Sequence, residues 1–596
     1  MKKLLSIMIL FSFLAIPLKA LEFDASKIAF SHYGSYLSLM VKKSNQSSPP
    51  ALYLWEFSGR RMWEWKGVYR FDPIYQGKVV DATYQATPAK FTMHTEHGDI
   101  SFCFQDDKIM RIKGRGVGLK ITQTVKDWSS ISYPIRKDRK QWRFQMGGYD
   151  HYAYTALQGK SKGDPAKSVA GEAPPERPQM IMELLPAKNG EIEAVLEQYN
   201  TAWTPQKYTK SFSTCVKESQ QHFENFMETL PPVPEEYAQL RQLGAYVKWS
   251  SVVLPKGNIT QPVMYCSKNV MASVWPWDNC FSSMVVAYKN MDFAIEQMML
   301  PFEHMNPEGA LPNLVNAQHF LWGASQPPIQ GLTMFKIMEY AKDSITVAQL
   351  ERIYQPFAKH TKFWFTYMDD DGDGIPQYNH ANDSGEDNGT VFEVGYPVEA
   401  PDLCSYLVLQ CEFLSKTAEK LGKTSEAEQW RQQAAGLMEF LIEDLWTGEQ
   451  FVTKNILTGK YNKKSRAFIN YHPIILGKRL PKEIREKLIR DLTSKNSIVT
   501  EYGPASEHPD SPYFKEDGYW RGAVWPPQFY FLCMGMQKLG KEDFARKMAR
   551  TYCEMCQRAG FPENFSALDG SGLKDSGYAW TVDVFFLLAN EFLYDE

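Results

Sequence analysis

The chain has 596 residues and a hydrophobic content of 44%, so we expect two globular domains with sizeable cores and exclude a mainly disordered protein. Its 66 lysines and arginines are balanced by 69 aspartates and glutamates, which excludes the basic surface that a nucleic-acid partner requires. Aromatic residues make up 14%, and flat apolar rings with a polar edge suit sugar faces as well as ordinary cores.

The first twenty residues have the pattern of a secretory signal peptide. Lys2 and Lys3 form a positively charged start, an apolar run follows, and Ala20 is a small residue at the cleavage position. We therefore predict residues 1–20 as a signal peptide and a mature protein that is periplasmic or secreted. No later stretch has the roughly 18 to 20 apolar residues of a membrane-spanning helix, so we expect no membrane span after signal removal.

Residues 21–225 are predicted to form an N-terminal β-sandwich domain. Short alternating runs separated by turns are typical of strands, as in Ala51-Leu-Tyr-Leu-Trp-Glu-Phe57 and Ile100-Ser-Phe-Cys-Phe104. The stretch Gly114-Arg-Gly-Val-Gly118 lies between two such runs and begins no helix. We therefore interpret it as a turn or bulge and not as a phosphate-binding loop.

Residues 226–596 have helical periodicity and are predicted to form an all-α domain. Ten candidate helices lie at residues 235–251, 279–299, 328–341, 347–368, 401–421, 425–445, 482–493, 526–539, 542–557 and 580–594. Several consecutive candidates are separated by glycine, as at Gly422 and Gly540, which is typical of antiparallel helical hairpins. Six hairpins would close into an (α/α)6 barrel, in which the apolar runs at 314–321 and 468–476 could be the two missing helices. A helical solenoid is the alternative, but no fixed-length repeat supports it.

A long acidic loop separates the candidate helices that end near 368 and begin at 401. Asp369, Asp371 and Asp373 offer carboxylates at alternate positions, and a glycine and the carbonyl of Ile375 follow, as in the first half of a calcium-binding loop. His380 stands where an EF-hand has its last glutamate, so an ion would need a more distant carboxylate or water. We predict a structural Ca²⁺ ion and no organic cofactor, with a solvated acidic turn as the alternative.

Aromatic and acidic clusters precede or join helices of the same domain. They are Ser273-Val-Trp-Pro-Trp-Asp-Asn279, Gly518-Tyr-Trp-Arg-Gly-Ala-Val-Trp-Pro-Pro527 and Phe561-Pro-Glu-Asn-Phe565. Two tryptophans beside an aspartate can stack on a pyranose ring and accept its hydroxyl groups, although Asp278 could instead be the N-cap of the next helix. In a closed barrel these clusters and the acidic loop would gather at one end.

Together these motifs resemble glycoside hydrolase family 63, with the trehalases of family 37 and the mannosylglycerate hydrolases close by. This clan consists of inverting α-glycosidases built on an (α/α)6 barrel. The motifs occur in the expected order between residues 271 and 581, and they are Trp275-Pro-Trp-Asp278, Ser325-Gln-Pro-Pro328, Ser384-Gly-Glu-Asp-Asn388, Pro401-Asp-Leu403, Tyr519-Trp-Arg-Gly522, Trp525-Pro-Pro527, Glu563-Asn564 and Tyr578-Ala-Trp-Thr581. The N-terminal part resembles the family only as a β-sandwich.

The resemblance implies that Asp387 is the general acid and Glu563 the general base. It implies a sugar subsite formed by Trp275, Trp277, Asp278, Gln326, Trp520, Arg521 and Trp525. Glu386 is a rival for the acid, and Asp387 is preferred on the motif match alone. Because Asp387 lies beside Glu386 and near Asp383, we expect like-charge crowding and partial burial to raise its pKa.

We therefore predict an exported, exo-acting, inverting α-glycosidase that hydrolyses a short α-glucoside, with an oligosaccharide or glycoside as its partner. An α-mannoside or glycosyl-glycerate hydrolase and a trehalase-like enzyme are the alternatives within the clan, although the Pro-Gly-Gly-Arg signature of trehalases is absent. Outside the clan, a catalytically inactive sugar-binding protein would not need both carboxylates. A polysaccharide lyase would need a basic groove, which the slightly acidic net charge disfavours.

Overall fold

The computed structural model describes residues 21–43, 49–58, 66–124, 131–145, 151–164, 180–341 and 345–594. The predicted signal peptide at 1–20 lies outside these residues. In the described part of the chain, no helix is both long enough and apolar enough to span a bilayer.

Sixteen strands form the N-terminal domain within the described residues. They are β1 (Phe30–Ser31), β2 (Leu37–Lys42), β3 (Ala51–Glu56), β4 (Gly67–Tyr75), β5 (Lys78–Val79), β6 (Thr83–Ala86), β7 (Phe91–Thr95), β8 (Gly98–Phe104), β9 (Ile109–Arg115), β10 (Gly118–Gln123), β11 (Ile131–Pro134), β12 (Gln141–Gln145), β13 (His151–Gln158), β14 (Lys160–Asp164), β15 (Ile181–Leu185) and β16 (Glu191–Tyr199). One antiparallel sheet has the order β1-β2-β3-β4-β10-β15-β14 with β5 paired to β4, and the other has the order β11-β12-β13-β16-β9-β8-β7-β6.

The two sheets enclose one core, because alternate residues of each strand point between them. Leu52 of β3 and Phe71 of β4 lie on one side, and Phe102 of β8 and Ile112 of β9 lie on the other, all of them buried. The rings of Phe71 and Phe102 stack with centroids 5.4 Å apart. The β-sandwich prediction is confirmed. The predicted turn between β9 and β10 consists of residues 116–117, where Gly116 has a φ of +85°, and the rest of 114–118 lies in the two strands.

Twelve α-helices follow in the described part of the chain. They are α1 (Phe212–Met227), α2 (Ala238–Ser251), α3 (Pro276–Val286), α4 (Met291–Glu303), α5 (Gln330–Ala341), α6 (Val347–Tyr367), α7 (Pro401–Lys420), α8 (Thr424–Glu443), α9 (Lys482–Thr493), α10 (Pro526–Lys538), α11 (Glu542–Ala559) and α12 (Ala579–Leu593). A 3₁₀ segment at Phe468–Arg479 precedes α9, and shorter 3₁₀ turns lie at Glu235–Tyr237, Ala381–Ser384 and Thr390–Val394.

Six of these segments close into an inner ring. In ring order α3, α5, α7, the 3₁₀ segment, α10 and α12 each pack on the next, and α12 packs back on α3. The helices α2, α4, α6, α8, α9 and α11 lie outside the ring, each against an inner segment. The closing contact between α12 and α3 distinguishes this (α/α)6 barrel from a solenoid and confirms the predicted fold class.

The barrel also contains eleven short strands within the described residues. They are β17 (Val252–Val253), β18 (Val263–Met264), β19 (Leu314–Val315), β20 (Phe320–Leu321), β21 (Val398–Glu399), β22 (Lys454–Asn455), β23 (Lys460–Tyr461), β24 (Val499–Thr500), β25 (Gly503–Pro504), β26 (Pro562–Phe565) and β27 (Gly572–Ser576). Because inner and outer helices alternate along the chain, the inner segments all begin at the same end of the barrel. The loops and hairpins that lead into them therefore meet there.

Two predicted helices were wrong. Residues 279–299 form two helices, α3 and α4, because Asn290 ends the turn between them and accepts a hydrogen bond from the backbone N–H of Phe293 at 3.1 Å. Residues 314–321 form the β19–β20 hairpin, whose turn is fixed by Asn316, since its Oδ1 accepts from the N–H groups of Gln318 and His319. The other apolar run, at 468–476, does lie in the inner ring.

Helix α1 starts within the region predicted as strands, and the predicted domain boundary at 225–226 falls inside it. Ser211 caps the helix by accepting from the backbone N–H of Thr214 at 3.1 Å. Only Cys215, Ser219 and Phe223 are buried on its inner face, which is too weak a stripe to indicate a helix from sequence.

Candidate active site

A small cavity lies where the loops into the inner ring meet, with a volume of about 210 Å³. Pockets for drug-sized ligands are usually about 300 to 1,000 Å³, so this cavity suits a single sugar ring and not a chain. Sixteen residues line it: Met271, Trp275, Trp277, Asp278, Asn313, Leu314, Leu321, Gln326, Asn382, Gly385, Asp387, Tyr519, Trp520, Glu563, Tyr578 and Trp580.

Asp387, the predicted general acid, reaches the cavity from the loop that precedes α7. Burial raises its pKa to about 6. The expected crowding by neighbouring carboxylates is not the cause, because Asp383 turns toward backbone N–H groups instead. The Asp383 carboxylate accepts hydrogen bonds from the N–H of Ser325 at 2.6 Å and from the N–H of His380 at 2.8 Å. These bonds connect the acid loop to the segment before α5.

Glu386, the rival for the acid, is not among the lining residues. It is 1% exposed, and its Oε1 accepts from Nε2 of Gln528 at 2.8 Å inside the barrel. Burial raises the pKa of Glu386 well above its usual range, but this carboxyl group does not line the cavity. Position therefore favours Asp387.

Glu563, the predicted general base, lies on β26 and lines the same cavity as Asp387. The hydroxyl of Tyr519 donates to its Oε1 at 3.2 Å, and the backbone N–H of Asp575 donates to its Oε2 at 3.3 Å. Burial and then the charge of Asp575 raise its pKa to about 7. Trp580 holds the backbone behind it, since Nε1 donates to the Glu563 carbonyl at 2.8 Å.

Asp278, in the first turn of α3, presents the third carboxyl of the cavity. It accepts from the Tyr578 hydroxyl at 3.2 Å, and burial raises its pKa to about 7. Trp277 packs against Gly385 of the acid loop, which has a φ of +71°. A Cβ at position 385 would lie 3.1 Å from the Trp277 ring, so both the conformation and the close approach require glycine.

The predicted sugar subsite is only partly in the cavity. Trp275, Trp277, Asp278, Gln326 and Trp520 are lining residues. Arg521 and Trp525 are not among the residues that line this cavity.

Arg521 is turned toward the acid loop. Its Nε donates to the Asn388 carbonyl at 2.8 Å and its guanidinium pairs with Glu393 at 2.6 Å. Trp525 lies behind Trp520, with the two rings stacked at 3.8 Å and only 5° between their planes. Both residues thus support the site from outside: Arg521 holds the acid loop and Trp525 supports a lining ring.

Tyr519 was not predicted as a site residue. Its φ is +63°, a conformation that is uncommon outside glycine and that is often found at functional sites. Its ring lines the cavity and its hydroxyl contacts Glu563. Tyr578 and Trp580 were also missed as lining residues, although both lie in motifs that carried the family resemblance. Membership of these motifs could therefore have identified the three residues, whereas their residue types alone could not.

None of the predicted calcium ligands lines the cavity. Asp369, Asp371 and Asp373 each place one carboxylate oxygen within 4.8 Å of the others. Oδ1 and Oδ2 of Asp369 also accept from the N–H groups of Gly372 and Gly374, both at 3.0 Å. Hard oxygen donors gathered at this distance fit Ca²⁺.

A family of sequences matches a little more than half of the chain. It is described as the mannosylglycerate hydrolase MGH1-like glycoside hydrolase domain, and it matches residues 271–581. Mannosylglycerate hydrolase MGH2 of Selaginella moellendorffii is 20% identical over 53% of this chain and 80% of its own length. The mannosylglycerate hydrolase of Rubrobacter radiotolerans is 21% identical over 52% of this chain and 88% of its own length.

Solved structures share the fold. The GH63 mannosylglycerate hydrolase of Thermus thermophilus in complex with Tris has a TM-score of 0.52 at 17% identity, over 58% of this chain and 99% of its own. A bacterial glucoamylase complexed with acarbose has a TM-score of 0.58 at 11% identity, over 95% of this chain and 94% of its own, so its match extends over the sandwich as well. The chain belongs to the family of mannosylglycerate hydrolase MGH1-like glycoside hydrolases, and its resemblance to family 63 is confirmed.

Proposed function

We propose that the protein hydrolyses short α-glycosides with inversion, releasing one terminal sugar in each reaction. The observation that carries this proposal is that Asp387 and Glu563, on two separate loops, line one small cavity. An inverting glycosidase needs one protonated and one ionised carboxyl group, about 6.5 to 9.5 Å apart, with a water molecule between the base and the sugar.

In the proposed reaction, Asp387 donates its proton to the glycosidic oxygen as the bond to the anomeric carbon breaks. Glu563 accepts a proton from a water molecule, and the water oxygen attacks the anomeric carbon from the opposite face. Tyr519 donates a hydrogen bond to Glu563 and so favours its ionised form. The α-linked substrate therefore gives a β-anomer.

The small volume supports an exo-acting enzyme, because only one terminal ring fits. Asp278 is positioned to accept from two adjacent sugar hydroxyl groups, and Trp275, Trp277 and Trp520 supply apolar surface around the ring. We expect this part of the cavity to bind the non-reducing sugar, with the remaining part of the substrate at the mouth.

The charge of the cavity favours an uncharged leaving group. Three lining residues, Asp278, Asp387 and Glu563, are carboxylic acids, and none of the sixteen described lining residues is a lysine, arginine or histidine. A carboxylate on the leaving group would enter a site that already holds three carboxyl groups and whose described lining residues include no cation to pair with it. A short neutral α-glucoside is accordingly the first substrate to test.

Hydrolysis of a glycosyl-glycerate is the second candidate. The family match and the similar proteins favour it, since several of those proteins are mannosylglycerate hydrolases. For this substrate, neutral side chains such as Asn313 and Gln326 would have to donate hydrogen bonds to the glycerate carboxylate.

A substrate panel tests the proposed function. Purified protein is incubated with α-linked glucose and mannose disaccharides, and with glucosyl- and mannosyl-glycerate, and released monosaccharide is measured. We expect turnover of a neutral disaccharide at a higher kcat/KM than of either glycerate. The reverse order would replace the first candidate by the second, and saturable binding without turnover of any compound would favour a sugar-binding protein.

We also propose a structural Ca²⁺ ion at Asp369, Asp371, Asp373 and the carbonyl of Ile375. The further ligand that such an ion needs would be water or a more distant carboxylate. The ion would fix the loop that leads toward Asp387, and none of its proposed ligands lines the cavity.

Export is a proposal that follows from residues 1–20. We expect the mature chain to begin after Ala20 and to be periplasmic or secreted. N-terminal sequencing of protein recovered from outside the cytoplasm tests the position of cleavage.

A further inference from the structure

A second buried carboxylate lies directly behind the proposed base. Asp575, on β27, is 5% exposed and accepts five hydrogen bonds. The donors are the Ser267 hydroxyl at 2.6 Å, Nδ2 of Asn269 at 2.7 Å, and the backbone N–H groups of Val270 at 3.1 Å, Met271 at 3.0 Å and Ser576 at 2.8 Å. Every one of these partners donates a hydrogen bond, as groups around a carboxylate do.

Four of the five donors belong to one tight turn, residues 267–271. The turn closes on itself, because the N–H of Ser267 donates to the Met271 carbonyl at 3.0 Å and the N–H of Met271 donates to the Ser267 hydroxyl at 3.1 Å. Met271 lines the cavity. The side chain of Asp575 therefore fixes one wall of the cavity to β27.

The backbone of the same residue contacts the base. The N–H of Asp575 donates to Oε2 of Glu563 at 3.3 Å across the β26–β27 hairpin. One residue thus joins two parts of the site: its side chain holds the turn at 267–271 and its main chain holds Glu563. Asp575 itself is not a lining residue.

We propose that Asp575 is a positioning residue for the hydrolysis, which sets the orientation and the charge environment of Glu563 and fixes the Met271 wall. This inference rests on the proposed role of Glu563 as general base. Asp575 acts through its neighbours and does not touch the substrate.

The charge of Asp575 gives the role a signature in the pH dependence. After burial, Asp575 is the largest cause of the raised pKa of Glu563. The other titratable groups that face Glu563 are the Tyr519 hydroxyl, Tyr578, Asp278 from α3, and Asp387 across the cavity. The base must be ionised and the acid protonated, so the pH optimum lies midway between their pKa values. Removing the Asp575 charge lowers the pKa of Glu563 and moves the optimum to lower pH.

The test compares Asp575→Asn with Asp569→Asn in the full-length protein. Asp569 is an exposed acid in the turn of the same hairpin, so its substitution makes the same charge change without touching Glu563 or the turn at 267–271. We expect Asp575→Asn to lower kcat/KM about tenfold, the loss that one charge-assisted hydrogen bond produces, and to shift the optimum of its pH profile to lower pH. Asp569→Asn leaves both unchanged.

A pH optimum that stays in place in folded Asp575→Asn would overturn the proposal. If that variant does not fold, Ser267→Ala replaces it in the test, because it removes one donor to Asp575 and keeps the charge. A raised KM with an unchanged pH optimum supports the fixed wall, and an unchanged KM overturns it. Glu563→Gln is assayed in parallel: if it stays active, the proposed base is wrong, which is a result distinct from any failure of Asp575.

Discussion

At the scale of residues, burial sets the protonation of the site. Asp387, with a pKa of about 6, and Glu563, with a pKa of about 7, are both shifted upward mainly because the cavity removes them from water. The proposed reaction needs Asp387 protonated and Glu563 ionised, so the lower of the two pKa values belongs to the group that must keep its proton. The reactive form is then a minority species that is most populated between the two values.

The expected pH profile follows from these directions. As pH falls through about 7, Glu563 gains a proton and can no longer act as base, and as pH rises through about 6, Asp387 loses the proton that it must donate. We predict a narrow bell-shaped dependence of kcat/KM with its maximum between about 6 and 7. A profile that rises steadily to pH 9 would contradict the assignment of Asp387 as the acid.

The choice between two adjacent carboxyl groups is also testable. Glu386→Gln keeps the shape of the side chain and the acceptor for Gln528, so we expect a folded enzyme with kcat within about threefold of the original. Asp387→Asn removes the proton donor, and kcat should fall at least about 100-fold. Loss of activity in Glu386→Gln, with activity kept in Asp387→Asn, would reverse the assignment.

At the scale of elements, hairpin periodicity predicted the ring well, whereas residues that stop helices were harder to recognise. The apolar run at 314–321 has the composition of a short helix, but Asn316 makes an Asx turn and the run becomes β19 and β20. Helix α1 was missed because it packs on the sandwich with a narrow face. Where a helix begins or fails to form depends here on side chains that hydrogen-bond to the local backbone, and hydrophobic periodicity does not reveal these bonds.

The residues of the site could likewise be predicted only in part. Motif order placed Asp278, Asp387 and Glu563 in one cavity although they are separated by almost 300 residues of chain. The motifs did not distinguish a ring that lines the cavity from one that lies behind it, as with Trp520 and Trp525. That distinction depends on which side chain the backbone turns inward, and at Tyr519 it depends on a positive φ.

The calcium loop gives a prediction at this scale. An ion that binds only the folded protein stabilises it by about 2.7 kcal/mol at a concentration 100 times the Kd. We expect removal of Ca²⁺ with EGTA to lower Tm by about 2 to 5 °C. Asp371→Asn should have a lower Tm in Ca²⁺ and a smaller response to EGTA. The same Tm with and without chelator would favour the solvated acidic turn.

At the scale of the whole molecule, the sandwich and the barrel share a core. Tyr36 and Met40 from the sandwich pack in one cluster with Val253 and Leu300 from the barrel. Lys268 lies buried at this junction, where its Nζ donates to the Ser31 hydroxyl at 3.1 Å and to the Val252 carbonyl at 3.2 Å. The two domains therefore stabilise each other.

This shared core predicts one cooperative unfolding transition. Separating the domains would expose the cluster and leave Lys268 without its acceptor on Ser31, so we expect a single calorimetric peak for the intact chain. A fragment of residues 226–596 should be poorly soluble or unfold at least about 10 °C lower. Two resolved peaks, or a barrel fragment with the original Tm, would contradict the mutual stabilisation.

The most direct test of the proposed mechanism is the anomeric form of the first product. Time-resolved proton NMR follows hydrolysis of an α-linked disaccharide by the original enzyme, by Asp387→Asn and by Glu563→Gln. Two opposed carboxyl groups with water between them predict that the β-anomer appears first and equilibrates later, and that both variants lose at least about 100-fold in rate. Initial release of the α-anomer, or full activity in either variant, would contradict the proposed acid and base pair.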